Sequence, residues 1–572
     1  MGLRFFLHCR RCPPPSETRT IWSAASNNSS NRIRRTALAQ ETSARPFVIG
    51  EDTLDLPTFE AICKEDRAVR LAASAREKVR RCDAFRRSLA TSTRKIYGVN
   101  TGFGRLADTV IPLEQQADLQ QNLIRSHAVG WGRPLDRAEA RGMILLRAMS
   151  LSHGYSGARE EVIDQLLWLL EEGLHPFIPS RGSVGASGDL APLSHLALVL
   201  MGEGHFLDGD GRRLPAGPIL AERGRAPLAL EAKEGLALIN GTQMMNSLGL
   251  LAVGEALELV RWAVLAAGLS LEALEGSAQP FGEKYHSVRP HPGIARVARS
   301  FRQLLDGSQI LAAHHDCPRV QDPYSVRCSP QVLGATLETI QHAADILLRE
   351  AGSVTDNPVL LPEQEEVVTG GHFHGQPLAL QLDALYQGVC ELANIADRRV
   401  NLLMGGNGGR LPRFLAGQPG LESGLMIAQY LTAALVTENK SKAFPAAVDS
   451  VPTSDGQEDH VSMGSVSALK LAGVLERTRA VIAVEVLTAA RALQFITRKD
   501  LAVAAGRQPL QLSDPLRALL EDVAGRLDLD PVDRPLTEDL EILTAAMRLR
   551  EMPAETRACL AAIALPDNPE GA

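Results

Sequence analysis

The Gly182–Leu193 stretch has the residue types that could best do chemistry, and it reads GSVGASGDLAPL. A serine-hydrolase elbow needs a glycine two residues after the serine, but Ser187 is followed by Gly188 and then by Asp189, so that pattern fails. A phosphate-binding loop needs a terminal Lys-Ser or Lys-Thr, which is absent as well. From the residues alone, the stretch predicts a turn that begins a helix, with Asp189 as its N-cap and Pro192 in the first turn.

Two histidine-containing clusters have the composition of metal sites, because imidazole and thiolate both bind zinc. They are His314-His315-Asp316-Cys317 and His372-Phe373-His374. Neither has the spacing of a standard zinc site, so the sequence predicts no metal. Gly405–Gly409 is a weak phosphate-loop candidate, and we interpret it as a connection because no strand precedes it.

Four further residues have types that suit catalysis, but each has an ordinary structural explanation when it is taken alone. A turn tyrosine is commonly half-buried, and a helix histidine commonly finds a local hydrogen bond. Arginines and glutamates in loops commonly form surface ion pairs or are solvated. The four residues are Tyr97, His127, Arg327 and Glu458.

In its sequence context, Ala186-Ser187-Gly188 resembles the self-modifying triplet of the aromatic amino acid ammonia-lyases, and of their histidine-specific members above all. In that family the triplet cyclises and loses two waters, which gives 4-methylidene-imidazol-5-one, an electrophile that no unmodified side chain provides. The resemblance therefore implies no external cofactor. The residue types suit this chemistry, since Gly188 has no Cβ and its amide nitrogen can approach the Ala186 carbonyl carbon in a strained turn. Ser187 supplies the hydroxyl that is lost.

The resemblance covers the chain from about Phe47 to the C-terminus, and three more segments carry it in order. Tyr97–Gly104 resembles the family's mobile lid loop, whose tyrosine is essential and a candidate base; its glycines would let the lid close and exclude water. Ser126-His127-Ala128 resembles the position that selects the substrate ring, and a histidine there is similar to histidine and tyrosine lyases. Asn240-Gly241-Thr242 resembles the asparagine that lies beside the prosthetic group.

Arg319–Cys328 reads RVQDPYSVRC and is nearly the family signature. The resemblance implies that Arg327 holds the substrate carboxylate by a forked pair of hydrogen bonds. Gln321 and Tyr324 would lie beside it.

Two further matches and two departures concern the substrate pocket. Phe373 matches the family's aromatic residue near the ring, and Glu458 stands where glutamate is typical of histidine lyases and glutamine of phenylalanine lyases. His372 replaces the usual asparagine of Gly-Gly-Asn-Phe-His, and Phe444 replaces a histidine that is frequent in histidine lyases. Neither departure touches the triplet, although both could reshape the pocket.

The resemblance implies a non-oxidative elimination of ammonia from L-histidine to give trans-urocanate. Tyr324 or Tyr97 would remove the β-proton, for which its pKa must be lowered from about 10. His127 and Glu458 would contact the imidazole, and such a hydrogen-bonding pocket rejects substrates that lack the matching group. The family assembles as a homotetramer whose sites are built from several subunits. The alternatives are a tyrosine ammonia-lyase or related aminomutase, and a catalytically silent scaffold if the triplet stays unmodified.

The charge is unevenly distributed along the 572 residues, whose formal net charge is -7. Residues 1–46 contain eight arginines against two glutamates, a balance of +6, so the remainder carries -13. An acidic body argues against nucleic acid as the main partner. The basic leader has the composition of an organelle transit peptide, or else it is a disordered tail or an upstream start, and we exclude it from the fold.

Neither a membrane anchor nor a disulfide framework is expected. No uninterrupted apolar stretch of about 18 residues occurs. The eight cysteines are scattered, which predicts free thiols in a reducing, cytoplasmic environment.

The sequence predicts a mainly α fold, with a long central helix bundle and an N-terminal helical domain that bears the loops. The resemblance implies that this fold is of the fumarase/ammonia-lyase type. Helical spacing of apolar residues dominates, for example in Met245–Leu269 and Met463–Ile496. Polar, Gly-rich loops connect the helices and carry the candidate chemistry. We predict a leader at 1–46, an N-terminal domain at 47–235, a central bundle at 236–495 and a C-terminal helical cap at 496–572.

Overall fold

The computed structural model describes residues 45–92, 94–313 and 319–565. The predicted leader, apart from its last two residues, and the His314–Cys317 cluster therefore lie outside the described residues. From Phe47 onward the chain forms one unit.

The first part of this unit alternates short helices with strands of two to four residues. Asp55 caps the first helix by accepting the Thr58 N–H at 2.8 Å, and Asp136 and Glu139 form a reciprocal capping box on α4. The elements are β1 (Phe47–Ile49), α1 (Leu56–Lys64), β2 (Val69–Leu71), α2 (Ala73–Ala90), α3 (Gln116–His127), β3 (Trp131–Pro134), α4 (Arg137–Ser152), α5 (Glu160–Glu171), β4 (His175–Pro176), β5 (Pro179–Arg181), α6 (Leu190–Leu200), β6 (His205–Leu207), β7 (Arg213–Pro215), α7 (Ala216–Glu222) and α8 (Glu234–Ile239).

The middle of the chain contains the longest helices. Three of them, α9, α15 and α17, pack against one another, and α14 packs on α9 and α15. The elements are α9 (Gln243–Ala273), α10 (Glu283–Ser287), α11 (Pro292–Leu305), α12 (Gln309–Ala313), α13 (Tyr324–Arg327), α14 (Ser329–Ala351), β8 (Val359–Leu361), β9 (Glu366–Val368), α15 (Gln376–Met404), α16 (Met426–Ser441) and α17 (Gly464–Thr497).

Short helices complete the chain, and the strands form only small sheets. β1 pairs with β2 in parallel, whereas β3–β5, β4–β6–β7 and β8–β9 are antiparallel. The last helices are α18 (Lys499–Ala504), α19 (Asp514–Arg526), α20 (Thr537–Arg548) and α21 (Ala554–Cys559). Single 3-10 turns occupy Gly104–Leu106, Leu113–Gln115, Gln279–Phe281, Asn407–Gly409, Arg413–Leu415, Ala446–Val448 and Ser454–Gly456.

The central helices are apolar around most of their circumference because other helices surround them. In the described part of the chain, α17 is the one helix long and apolar enough to cross a membrane, with a mean hydropathy of 1.6 over its best window. That window is 89% buried inside the protein, as expected of a core helix in a bundle.

The predicted mainly α fold with a long central bundle is confirmed, and Met245–Leu269 and Met463–Ile496 fall on α9 and α17. The boundaries after residues 235 and 495 stay predictions. Asp189 does occupy the N-cap position of α6, but its side chain makes no bond to that helix. It accepts hydrogen bonds from the first turn of α9 instead.

Candidate active site

A cavity of about 560 Å³ brings together five of the residues singled out from the sequence. The Tyr97–Gly104 loop forms one wall through Gly102, Phe103 and Gly104, and apolar side chains from α3 and α8 form others. The five residues are Tyr97, His127, Ser187, Asn240 and Glu458.

The Ala186-Ser187-Gly188 loop is pressed against the turn before α9. Gly188 has a φ of +73°, and an isolated parallel bridge pairs it with Gly241. A Cβ added at Gly188 would lie 2.1 Å from the Gly241 carbonyl oxygen, so no larger residue fits this approach. The next residue fixes the contact, because the Asp189 N–H donates to the same oxygen at 2.7 Å.

The Asp189 carboxylate is completely buried and joins the loop to two long helices. Its Oδ2 accepts the N–H groups of Met244 and Met245 at 2.9 and 3.0 Å, at the N-terminus of α9. Its Oδ1 accepts the Ser465 hydroxyl of α17 at 2.7 Å. Burial raises the pKa of Asp189 to about 6, although these donors act in the opposite direction.

Ser187 is hydrogen-bonded to Glu458. The Ser187 hydroxyl donates to Glu458 Oε1 at 3.0 Å, and the Thr453 hydroxyl donates to Oε2 at 2.7 Å. Thr453 and Glu458 also exchange backbone hydrogen bonds at 2.9 and 3.2 Å, which holds their loop in a short antiparallel bridge. Both carboxylate oxygens are therefore placed by defined donors.

Tyr97 is half-buried and packs edge-on against Phe103, with ring centroids 6.3 Å apart. The Gly104 N–H approaches its hydroxyl at 3.5 Å. Burial raises the pKa of Tyr97, and the Glu458 carboxylate acts in the same direction. The groups around it in one chain therefore do not supply the lowered pKa that a base requires.

His127 ends α3 with its ring at the cavity. Its Nδ1 lies 2.9 Å from the Leu123 carbonyl oxygen and 3.0 Å from the Ser126 hydroxyl. Because a carbonyl only accepts, Nδ1 carries a proton, so in the neutral ring Nε2 is an acceptor.

Asn240 is almost completely buried beside Ser187. The side-chain Nδ2 of Asn240 donates to the Asn357 carbonyl at 3.3 Å. The main-chain carbonyl of Asn240 accepts a hydrogen bond from Arg147 at 2.7 Å. Its Oδ1 has no partner within the part of the chain that is described. An unpaired buried oxygen is costly, and Oδ1 can accept a hydrogen bond from a group that binds in the cavity.

The remaining predicted residues do not line this cavity. Tyr324 and Gln321 are exposed, with Tyr324 at 72%, and Arg327 is half-buried. The Arg327 guanidinium lies 4.7 Å from the Tyr324 ring centroid, and its Nε donates to the Asp322 carbonyl at 2.9 Å. Phe373 is half-buried. One chain thus presents two clusters, the Ser187 cavity and the Arg327 surface.

A family model described as aromatic amino acid lyase matches residues 54–523. The chain belongs to the aromatic amino acid lyase family. A protein of Sorangium cellulosum named histidine ammonia-lyase is 48% identical over 495 residues, which is 83% of this chain and 95% of that protein. The family resemblance inferred from the sequence is thereby confirmed.

Solved structures of the family share the whole fold. Histidine ammonia-lyase from Trypanosoma cruzi superposes with a TM-score of 0.80 at 37% identity, covering 92% of this chain and 99% of that one. A tyrosine aminomutase from Streptomyces globisporus superposes with a TM-score of 0.82 at 36% identity, covering 91% and 98%.

Three contacts at this lyase-family site were missed from the sequence. Asp189 was interpreted as an ordinary N-cap, and its position directly after the triplet is the signal that could have identified it. Thr453 lies five residues before Glu458 but outside any recognised motif, and Arg147 lies 93 residues from the Asn240 carbonyl it binds, so neither carries such a signal.

Metal ligation finds no support among the described residues, which contain no group of three side chains able to hold an ion. His374 instead stacks on His460, with ring centroids 5.6 Å apart and planes at 8°. The His314–Cys317 cluster lies outside the described residues.

Proposed function

We propose that this chain eliminates ammonia from L-histidine to give trans-urocanate. The observation that carries the proposal is the Ser187–Glu458 hydrogen bond in a cavity that also contains His127, because it joins the self-modifying triplet to the groups expected to recognise an imidazole. Relatives named histidine ammonia-lyase, at 43–49% identity over most of the chain, support the same substrate.

The loop fits the family's 4-methylidene-imidazol-5-one group, which supplies the electrophile that activates the substrate. Ring closure would join the Gly188 nitrogen to the Ala186 carbonyl carbon, whose oxygen leaves as one water. The Ser187 hydroxyl leaves with its α-hydrogen as the second water, so no oxidant is needed. The absence of a Cβ at Gly188, which allows the close approach to Gly241, supports this assignment.

Loss of the Ser187 hydroxyl would also release Glu458. Its Oε1 would then lack the donor it now has, while the Thr453 hydroxyl still holds Oε2. A carboxylate fixed in this way can accept the imidazole N–H of histidine, and His127 Nε2 can accept the second N–H when the substrate ring is an imidazolium. A phenyl ring has no such donor and would leave these acceptors unpaired, which favours histidine over phenylalanine.

We further propose that the site is completed in a homotetramer. Arg327 would hold the substrate carboxylate, with Gln321 and Tyr324 beside it, yet all three lie outside the cavity of their own chain. A second copy that brings its Arg327 surface to this cavity would supply them, together with Phe373. Tyr324 then remains a candidate base alongside Tyr97.

Exposed apolar side chains support such an assembly, since Ile427 and Tyr430 share one face of α16 and contiguous exposed apolar surface marks interaction sites. They include Ile427, Tyr430 and Phe444, which are 66%, 63% and 74% exposed. A reducing, cytoplasmic location is proposed on the five described cysteines, which are all free.

The second candidate is a tyrosine ammonia-lyase or aminomutase, favoured by His127 and by the solved tyrosine aminomutase. The purified protein should be offered histidine, tyrosine and phenylalanine separately, with the ultraviolet absorbance of each conjugated product followed. Urocanate should form fastest. Formation of the tyrosine product without urocanate would contradict the proposal, and no product from any substrate would favour a silent scaffold.

A further inference from the structure

Arg147 is a completely buried cation on α4 that has no ion-pair partner among residues 45–92, 94–313 and 319–565. Among the described residues no carboxylate lies within 4.0 Å of its guanidinium, and burial lowers its pKa to about 10. The nearby carboxylate of Asp356 is already paired, since it accepts the buried Lys233 ammonium at 2.8 Å. A buried charge without a counter-ion is costly, so its retention needs a reason.

The hydrogen bonds of Arg147 point to that reason. Nη1 donates to the Asn240 carbonyl at 2.7 Å and Nη2 to the Ser150 hydroxyl at 3.0 Å, while Nε has no partner in the described chain. The short bond therefore goes to the peptide group that joins Asn240 to Gly241. A charged donor binds a carbonyl more strongly than a neutral one does.

The Asn240–Gly241 segment packs directly against the self-modifying loop. On one side, a Cβ at Gly241 would lie 2.9 Å from Arg147 Nη1. On the other side, Gly241 is bridged to Gly188, and its carbonyl accepts the Asp189 N–H at 2.7 Å. The Asn240 side chain enters the cavity from the same segment. A single layer of backbone thus separates the Arg147 guanidinium from the triplet.

From these contacts we infer that Arg147 is a positioning residue, which holds the Asn240–Gly241 peptide against the Ala186-Ser187-Gly188 loop so that ring closure can occur. The inference rests on the proposed function. Ring closure needs the Gly188 nitrogen close to the Ala186 carbonyl carbon, and reactions between pre-positioned groups lose large factors in rate when the geometry relaxes by about 1 Å. If the Asn240–Gly241 peptide could move away from the loop, the Gly188 nitrogen would no longer be held close to the Ala186 carbonyl carbon.

Arg141 provides a matched control on the same helix. It is also buried, and it also donates to two backbone carbonyls, those of Ile62 and Leu170, at 3.0 and 2.9 Å. It differs in having an ion pair, with Asp66 at 3.2 Å. Neither carbonyl lies at the cavity. If the role of Arg147 were purely structural, Arg141→Lys and Arg147→Lys would have the same extent of triplet modification.

The test compares the intact mass and melting temperature of wild type, Arg147→Lys, Arg147→Met and Arg141→Lys. We expect wild type and Arg141→Lys to be fully short by two waters. The Arg147 variants should retain an unmodified fraction at least about tenfold above the detection limit of the mass measurement, at a comparable melting temperature. Ser150→Ala, which keeps Arg147 but removes the acceptor of Nη2, should give an intermediate fraction.

Complete modification of folded Arg147→Lys beside a modified wild type would overturn this inference alone. If the Arg147 variants do not accumulate, complete modification of Ser150→Ala would overturn it instead. An unmodified wild type would overturn the proposed function as well.

Discussion

The Ser187 hydroxyl donates to Glu458 Oε1 at 3.0 Å although the two residues are 271 positions apart in the chain. This bond brings a loop that precedes α6 to a loop that precedes α17. It connects the residue that would be dehydrated with the carboxylate that would bind the substrate ring. The first prediction tests that connection.

Glu458→Gln should lower histidine turnover by about 10- to 100-fold, because a hydrogen bond to a charged group contributes about 1.5–3 kcal/mol. The amide can still accept from Ser187, so the triplet should still lose two waters. Steady-state kinetics and intact mass measure the two effects. Glu222→Gln, an exposed acid at the end of α7, is the control, and an unchanged histidine rate in Glu458→Gln would contradict the imidazole assignment.

Gly188→Ala should prevent modification of the triplet. The added Cβ would meet the Gly241 carbonyl oxygen at 2.1 Å, and the left-handed backbone at this position disfavours any side chain. Gly211→Ala is a matched control, since Gly211 also has a positive φ of +77° and a Cβ there meets nothing within 4 Å. The intact mass should show an unmodified chain for Gly188→Ala only, and a dehydrated Gly188→Ala would refute the expected geometry.

A mixture of two inactive variants should regain activity if sites are shared between subunits. Ser187→Ala lacks the triplet serine, and Arg327→Ala lacks the carboxylate clamp. Co-expressed in one cell, they should form mixed oligomers in which some sites combine an intact Ser187 with an intact Arg327 of a neighbour. Turnover of the purified mixture, compared with that of each variant alone, measures this. Activity no greater than that of the separate variants would argue against shared sites.

The buried Glu272 should make stability depend on pH. Its Oε2 accepts the Ser308 hydroxyl at 2.6 Å, its Oε1 has no partner in the described chain, and burial raises its pKa from 4.5 to about 7. A raised carboxyl pKa means that the folded state binds the proton more tightly than the unfolded state does. Its contribution to stability is therefore greatest below pH 4.5 and is lost as the pH rises through about 7.

Glu272→Gln should remove this dependence, since an amide stays neutral. The shift from 4.5 to about 7 corresponds to about 3 kcal/mol at alkaline pH. Unfolding of wild type and variant in urea between pH 5 and pH 8 measures the difference, which should grow in favour of the variant as pH rises. A difference that does not change with pH would disprove the assignment.

Much of the fold was accessible from the sequence because helical spacing of apolar residues is a local property. The helices at Met245–Leu269 and Met463–Ile496 needed no tertiary information. Asp189 shows the limit, because nothing local indicates that its carboxylate binds α9 rather than its own helix.

The site was predictable to the extent that short motifs carry it. Ser187, His127 and Glu458 could be named because each stands in a recognisable segment, and the structure places them around one cavity. The residues alone could not indicate that Tyr324 and Arg327 lie away from that cavity, since a motif does not show how far it lies in the fold from another motif. Arg147 could not be found either, because its significance comes from a carbonyl 93 residues away.

Intact mass spectrometry of the purified wild type and of Ser187→Ala tests the central claim most directly. The account predicts that the wild-type chain is lighter than its encoded mass by two waters, and that Ser187→Ala retains its full encoded mass. A wild-type chain at its full encoded mass would contradict it.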